Sequence, residues 1–379
     1  MKKSIGLLTD VPTPYRVHFY NLLNKELLKY NFTLKVYFMS EKVKYRYWNI
    51  DRHDFQFDYY LDQGFKFIFN KSTFHFNPIL LFKLLISKNE LCILGGAWSQ
   101  PTTLISILIC KLNKTKSYFW LELNEKAIVH NNLIFNFIRN RVINSQENFI
   151  LPGNVAVSLL KKIKKGNHKI AFLPNLIQEI NFYYKYDKIE KKKYKEILNL
   201  DSFKKVIIWP ARLNNKDKGI INFLSIIKNH TNIDICILIA GDGPDKKLIS
   251  DYLLNNEIYF VKLLGFITEE NLIQYYRAAD LFLLPSIIDP NPLSVIEALW
   301  SSLPIMISSN CGNYQEALIS RFNGWLIDFE DRNLIINSWI DFLNSDENQL
   351  EVLSKNSLSI AIDKFTSSKE INKFIHEII

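Results

Sequence analysis

The chain has 379 residues, 48% hydrophobic and 22% charged, a balance that excludes a disordered or fibrous protein and gives length for two domains, each able to bury a core. Its formal charge of +9, mostly from lysine, suits nucleic acid, anionic lipid or a phosphorylated substrate, and equally a plain solvated surface; no nucleic-acid-binding signature accompanies it. Cys92, Cys110, Cys236 and Cys311 stand far apart without a CxxC pair, so buried thiols are expected, not disulfides or zinc ligands.

The chain opens on "MKKSIGLLTD", whose basic start resembles a signal peptide, but the apolar run stops at Asp10 and no small-residue cleavage site follows. A first β-strand and a cytoplasmic protein are expected instead. A helical pattern, "VHFYNLLNKELLKYN", and a second strand, "FTLKVYFM", come next. The apolar stretches "ILLFKLLIS" (79–87) and "TLISILIC" (103–110) fall far short of the roughly 20 residues that span a bilayer. Strand-like runs then recur at "LCILGG", "SYFWLEL", "NFILPG" and "KIAFLPN". This alternation predicts a parallel α/β domain over residues 1–180.

From about Asn181 to Ser202 a Lys-, Tyr- and Asn-rich segment has weak apolar periodicity, as expected of a connector with one surface helix. The alternation then restarts. "KVIIWPA", "DICILIAGDG", "YFVKLLGF", "LFLLPS" and "PIMISS" are short continuous apolar runs, the pattern of strands covered on both faces. Helical segments separate them, so a second doubly wound domain is predicted over 181–361. Two such domains imply a cleft between them. The tail from Asp331 reads as helices only and ends in the amphipathic "SSKEINKFIHEII", which must dock on a partner surface.

Ligands of open parallel sheets bind at the carboxyl ends of strands, and three stretches there carry chemistry. "AGDGP" follows a strand, and Gly241 and Gly243 permit a tight turn and close approach to a ligand; the same residues also make a plain turn. "PARLNNKDKGI" places Arg212 at a strand end and Lys218 just before a helix. That pair suits a diphosphate, with Lys216 competing for the lysine role and a salt-bridged surface loop as the bland alternative. "PSIIDPNPLSVIEALW" places Asp289 and Glu297 eight positions apart. Asn291 is expected as an N-cap and Pro292 as the first helical residue. A carboxylate accepts hydrogen bonds from vicinal hydroxyls, as on ribose or hexose, and free amides at the helix start favour phosphate. Together these features describe a nucleotide-sugar site. His18 and His130 are further cleft candidates, though a lone histidine is more often structural.

Arg-Leu followed by Lys-Gly, then "AGDGP", "LGF", "AADLFLLPS", acid-x7-Glu, "LPIMISSNCGNYQEAL" and "NGWLID" resembles, in this order, the retaining glycosyltransferases of family four, over Val206 to Asp328. "DVPTPYRVHFYNLL", "YFWLE" and "FLPN" are similar to the family's first domain more loosely. The resemblance implies the GT-B fold: two Rossmann-like doubly wound domains facing across a cleft. The first would hold the acceptor and be completed by a C-terminal helix at about 362–379. It implies that Arg212 and Lys218 bind the donor diphosphate, with Gly241 and Gly243 lining the nucleotide pocket. Glu297 would hold ribose, Asp289 would face the transferred sugar, and Leu293 and Ser294, beside Asn291, would offer amides. Arg16, Glu122, Asn175 and His130 come under consideration on the acceptor side. Three departures stand out: Asp289 where Glu is usual, one extra residue between Arg212 and Lys218, and "PNP" for a glycine-rich loop.

The implied reaction is retaining transfer of a hexose-type sugar from a nucleoside diphosphate, a UDP-sugar foremost, to a hydroxyl of a glycan or lipid-linked acceptor in surface polysaccharide or glycoconjugate assembly. No metal and no further cofactor are expected. The alternatives are an inactive nucleotide-sugar-binding protein and a GT-B epimerase or phosphorylase. A nucleic-acid partner is not expected, since it leaves the two acids unexplained. "KKIKK" (161–165) and "EKVKYRYW" (41–48) suggest peripheral contact with an anionic membrane on its inner face.

Overall fold

The computed structural model describes residues 3–41, 51–69, 72–123, 133–231 and 234–379. It divides into two compact units. The first takes the described residues up to Ile177 together with Ser367–Ile379, and the second takes Gln178–Thr366.

In the first unit β1 (Lys3–Thr9), β2 (Phe32–Phe38) and β3 (Asp58–Leu61) form one wing of a parallel sheet. The hairpin β4 (Phe65–Phe69) and β5 (Ser72–Phe76) stands apart from that sheet. The other wing comprises β6 (Leu91–Leu94), β7 (Lys116–Trp120), β8 (Asn148–Leu151) and β9 (Lys169–Phe172). The sheet order β3-β2-β1-β6-β7-β8-β9 reverses direction at β1/β6. All four residues of β6 are buried, as a strand covered on both faces requires.

Helix Ser367–Ile378 completes this unit, sending Ile371, Phe374, Ile375 and Ile378 into the core beside Leu7, Leu34, Val36 and Tyr118. Its attachment is also polar. The Phe172 amide at the end of β9 donates to Glu377 Oε2 at 2.7 Å, and Lys116 Nζ donates to the Ile378 carbonyl at 2.8 Å.

The second unit repeats the plan with β10 (Lys205–Pro210), β11 (Ile235–Ala240), β12 (Val261–Gly265), β13 (Leu281–Leu284), β14 (Ile305–Ser308) and β15 (Gly324–Ile327). Their order β12-β11-β10-β13-β14-β15, parallel throughout, reverses at β10/β13. β11, β13 and β14 are buried at every position.

The expected connector is more than a connector. Helix Lys188–Ile197 buries none of its residues, yet it is fastened by charge: Lys191 Nζ and Lys195 Nζ reach Asp280 at 2.5 and 2.7 Å, and Asp280 Oδ2 also accepts from the Val206 amide at 2.7 Å. Burial alone would raise the Asp280 pKa, but the two lysines outweigh it and hold the carboxyl at about 2. All four cysteines are buried and free.

Candidate functional site

The second unit gathers candidate residues at its β10/β13 reversal, where a parallel sheet opens a ligand crevice. Two loops meet there. One follows β10 and makes a single helical turn, Asn215–Lys218; the other follows β13 and leads into helix Leu293–Trp300. The Asp217 carbonyl ties them by accepting from the Ile287 and Ile288 amides at 2.8 and 2.9 Å. Lys218 Nζ pairs directly with Asp289 Oδ2, and only 19% and 11% of the two side chains remain exposed. The Asp289 carbonyl is held in turn by the Gly312 amide at 2.9 Å.

Arg212 is exposed, with no ion-pair partner among the described residues, and Lys216 is exposed as well. Gly241 and Gly243 lie against the Arg212 loop rather than in open space. A Cβ on Gly241 would sit 2.0 Å from the Ala211 carbonyl oxygen, and one on Gly243 2.4 Å from that of Leu213. The loops interlock through Leu213 N to Asp242 O at 3.1 Å and Asp245 N to Leu213 O at 3.0 Å. Only glycine permits so close an approach, so these two positions shape the Arg212 loop whatever else they line.

The capping expectation needs a one-residue correction. Pro292, with φ −67° and ψ 121°, occupies the cap itself, Leu293 and Ser294 are the first two helical residues, and Asn291 is buried one position outside. The extended ψ of Pro292 is what keeps it out of the helix. Glu297 lies in the second turn, partly buried, and accepts from Tyr276 Oη at 2.9 Å. Burial raises its pKa to about 7, against the lowering effect of the Tyr276 hydrogen bond. The structure therefore brings Lys218, Asp289 and the start of helix Leu293–Trp300 together, with Glu297 a turn further along.

The first unit has its own cavity of about 490 Å³ at the β1/β6 reversal. Arg16, on helix Pro14–Lys29, lines it with Glu122: Nη2 donates to Glu122 Oε1 at 3.3 Å, and the guanidinium lies 4.9 Å over the Trp120 ring. Sequence reasoning passed over Asp10 and Thr13 in the same cavity. Asp10 Oδ1 and Thr13 Oγ1 are buried without a hydrogen-bond partner, and burial pushes the Asp10 pKa up, against the pull of Arg16. The available signal was position, since Asp10 directly follows the first strand. Asn175 is buried and His18 partly buried on helix Pro14–Lys29. His130 and residues 42–48 of the second basic stretch lie outside the described residues. Lys161 and Lys162 end helix Asn154–Ile163. No described helix is long and apolar enough to cross a membrane.

Residues 190–359 match the sequence model of the family described as "Glycosyl transferases group 1". Over 154 residues the chain is 29% identical to UDP-Gal:alpha-D-GlcNAc-diphosphoundecaprenol alpha-1,3-galactosyltransferase of Escherichia coli, covering 39% of this chain and 38% of that protein. It is 31% identical over 152 residues to alpha-monoglucosyldiacylglycerol synthase of Acholeplasma laidlawii, covering 38% and 37%. The chain thus spans under two-fifths of the length of these curated relatives. In structure it is similar to Alr3699/HepE of Anabaena, solved in complex with UDP, with a TM-score of 0.73, 14% identity and 98% of each chain covered.

Proposed function

We propose, from the match of residues 190–359 to the glycosyl transferases group 1 model and from the GT-B fold, that the protein is a retaining glycosyltransferase that moves a hexose from a UDP-sugar to a hydroxyl of a glycan or lipid-linked acceptor in surface glycoconjugate assembly. The observation that carries this reading is the junction of Lys218 and Asp289 beside the amides of helix Leu293–Trp300. It offers a cation and backbone donors to a diphosphate and an acid to sugar hydroxyls. The names of the two curated relatives support a lipid-linked acceptor: one acts on a diphosphoundecaprenol-linked sugar, and the other makes a glucosylated diacylglycerol. UDP as the leaving group follows from the named donor of the Escherichia coli relative and the UDP bound to the Anabaena protein.

Negative charge grows on the leaving diphosphate as the bond from the anomeric carbon breaks. Arg212, Lys218 and the Leu293 and Ser294 amides would stabilise that charge from fixed positions. Two cations do this work, so the proposal requires no metal. The Arg16, Glu122 and Asp10 cavity of the first unit would receive the acceptor. The test is a thermal-shift and transfer assay with UDP-, GDP- and CMP-sugars, followed by NMR of the product anomer. A melting point raised by UDP-sugars and a product that keeps the donor's anomeric configuration are expected. No shift with any of the three donors would reject the reading.

The Glu297 pKa gives a second expected result. A carboxylate that accepts from two ribose hydroxyls binds them as the ion, whereas a pKa of about 7 leaves it half protonated at neutral pH. UDP affinity is therefore expected to rise about tenfold from pH 6 to pH 8. Glu297→Gln removes that contribution while leaving any titration of UDP itself in place. Calorimetry across this range on both proteins checks it, and equal pH slopes would place Glu297 outside the nucleotide contact.

A further inference from the structure

Helix Pro78–Ile86 is apolar at every position but Lys83. Leu80, Leu81 and Leu84 are buried, yet Ile79 is 58%, Phe82 59% and Ile86 62% exposed. These three form a solvent-facing stripe at i, i+3 and i+7. An amphipathic helix of a soluble surface would carry polar residues there.

The apolar exposure continues onto the elements packed around it. Helix Pro101–Leu112 leaves Leu108 and Leu112 exposed, the latter at 76%, and Asn113 Nδ2 just past its end donates to the Leu85 carbonyl at 2.8 Å. The two helices therefore end side by side. The β4/β5 hairpin leans on the start of helix Pro101–Leu112, with the His75 amide donating to Gln100 Oε1 at 2.7 Å and Thr102 Oγ1 to the His75 carbonyl at 2.9 Å. On it Phe65, Phe67 and Ile68 are exposed, Ile68 at 74%. An exposed apolar surface spread over three adjoining elements is the kind of patch that marks an interaction site.

Charge identifies the partner. From Gly64 to Ser117 the sequence holds seven lysines and one acid, Glu90, and Glu90 is already paired with Lys3 at 2.9 Å. Lys66, Lys83 and Lys111 are exposed among the apolar side chains. Bulky apolar residues interspersed with lysines are the composition of a surface that sinks shallowly into the headgroup region of an anionic bilayer. A protein partner that covered the same face would have to supply acids to match those lysines.

We propose that the outer face of helices Pro78–Ile86 and Pro101–Leu112, with the β4/β5 hairpin, is a membrane-docking surface that inserts Phe82, Ile86 and Leu112 into anionic lipid. This deepens the lipid-linked part of the proposed function, on which its biological sense rests, and its test uses neither donor nor acceptor, so either reading can fail alone. It also moves the contact away from the Lys161–Lys165 run.

The experiment is sedimentation of the full chain with vesicles of phosphatidylcholine alone and with added phosphatidylglycerol. Binding to the anionic vesicles is expected, weakened by salt, and reduced about tenfold or more in Phe82→Glu/Ile86→Glu and in Leu112→Glu. Unchanged melting points and unchanged UDP affinity show that these variants fold. Lys161→Ala/Lys162→Ala is expected to bind as the wild type does. The proposal is overturned by equal binding to neutral vesicles, by wild-type binding in the glutamate variants, or by loss confined to the Lys161/Lys162 variant. It is also overturned if light scattering shows a dimer that Phe82→Glu dissociates, since a second copy would then cover the face.

Discussion

Lys218→Ala is expected to lower sugar-transfer turnover by about a hundredfold and UDP affinity by about tenfold, and to destabilise the fold at the same time. The combination follows from the Lys218–Asp289 pair, most of which is shielded from water. Removing the lysine withdraws a cation from the diphosphate and also leaves Asp289 without its counter-charge. Leaving one partner of a buried pair costs about 3–5 kcal/mol; residual exposure of both side chains reduces this to about 1–3 kcal/mol. Arg212→Ala separates the two effects. Its side chain is exposed without an ion-pair partner among the described residues, so UDP affinity falls to a similar degree while the melting point stays. Lys216→Ala changes neither. Titration calorimetry and thermal melts of the three variants check this, and undiminished UDP affinity in both the Lys218 and Arg212 variants rejects the diphosphate assignment.

Asp289→Asn is expected to act on chemistry and spare binding. A carboxylate that positions the sugar contributes when the anomeric centre reacts, and its loss lowers kcat by about a hundredfold. Free UDP carries no sugar to lose contact with. The substitution also releases Lys218 from its partner, so UDP binds at least as tightly as to the wild type. Asp289→Glu adds one methylene, keeps the charge, and should retain activity. A wild-type turnover number for Asp289→Asn would reduce Asp289 to an anchor for Lys218.

Much of the fold is legible because both sheets are parallel. Strands such as "LCIL" and "LFLL" are buried on both faces, so they read as unbroken apolar runs. Where apolar residues are not buried the reading fails. The β4/β5 hairpin has strong strand formers in "FKFIF", but Phe65, Phe67 and Ile68 face water and it stands outside the seven-stranded sheet, so it breaks the strand-helix rhythm. Helix Lys188–Ile197 is expected as a surface helix, but its attachment is hidden for the opposite reason. It has little apolar periodicity because the buried Asp280 fastens it, 85 residues beyond Lys195, and a sequence window cannot display a pairing of that span.

The candidate site divides in the same way. Arg212, Lys218, Asp289 and Glu297 stand at strand ends or helix starts, where position alone marks them. Their pairing is not legible, since Lys218 and Asp289 lie 71 positions apart and chemistry alone suggests separate tasks for them. Asp10 had the same positional mark, directly after the first strand, whereas Thr13 became visible only through its buried, unpartnered oxygen. The exposure of Phe82 and Ile86 is equally a property of packing, because in sequence their helix looks like any buried one.

The return of helix Ser367–Ile378 to the first unit sets an order on biosynthesis. A ribosome delivers the strands of the first unit at the start of translation, yet Leu7, Leu34 and Tyr118 share a core with Phe374 and Ile378. The second unit, continuous from Gln178 to Thr366, has all its residues while the last helix is still being made. The half synthesised first is thus the half finished last, and it waits with an open apolar seam for a segment nearly two hundred residues downstream of β9. A chain stopped at Thr366 would keep an intact second unit and leave the first one unsealed.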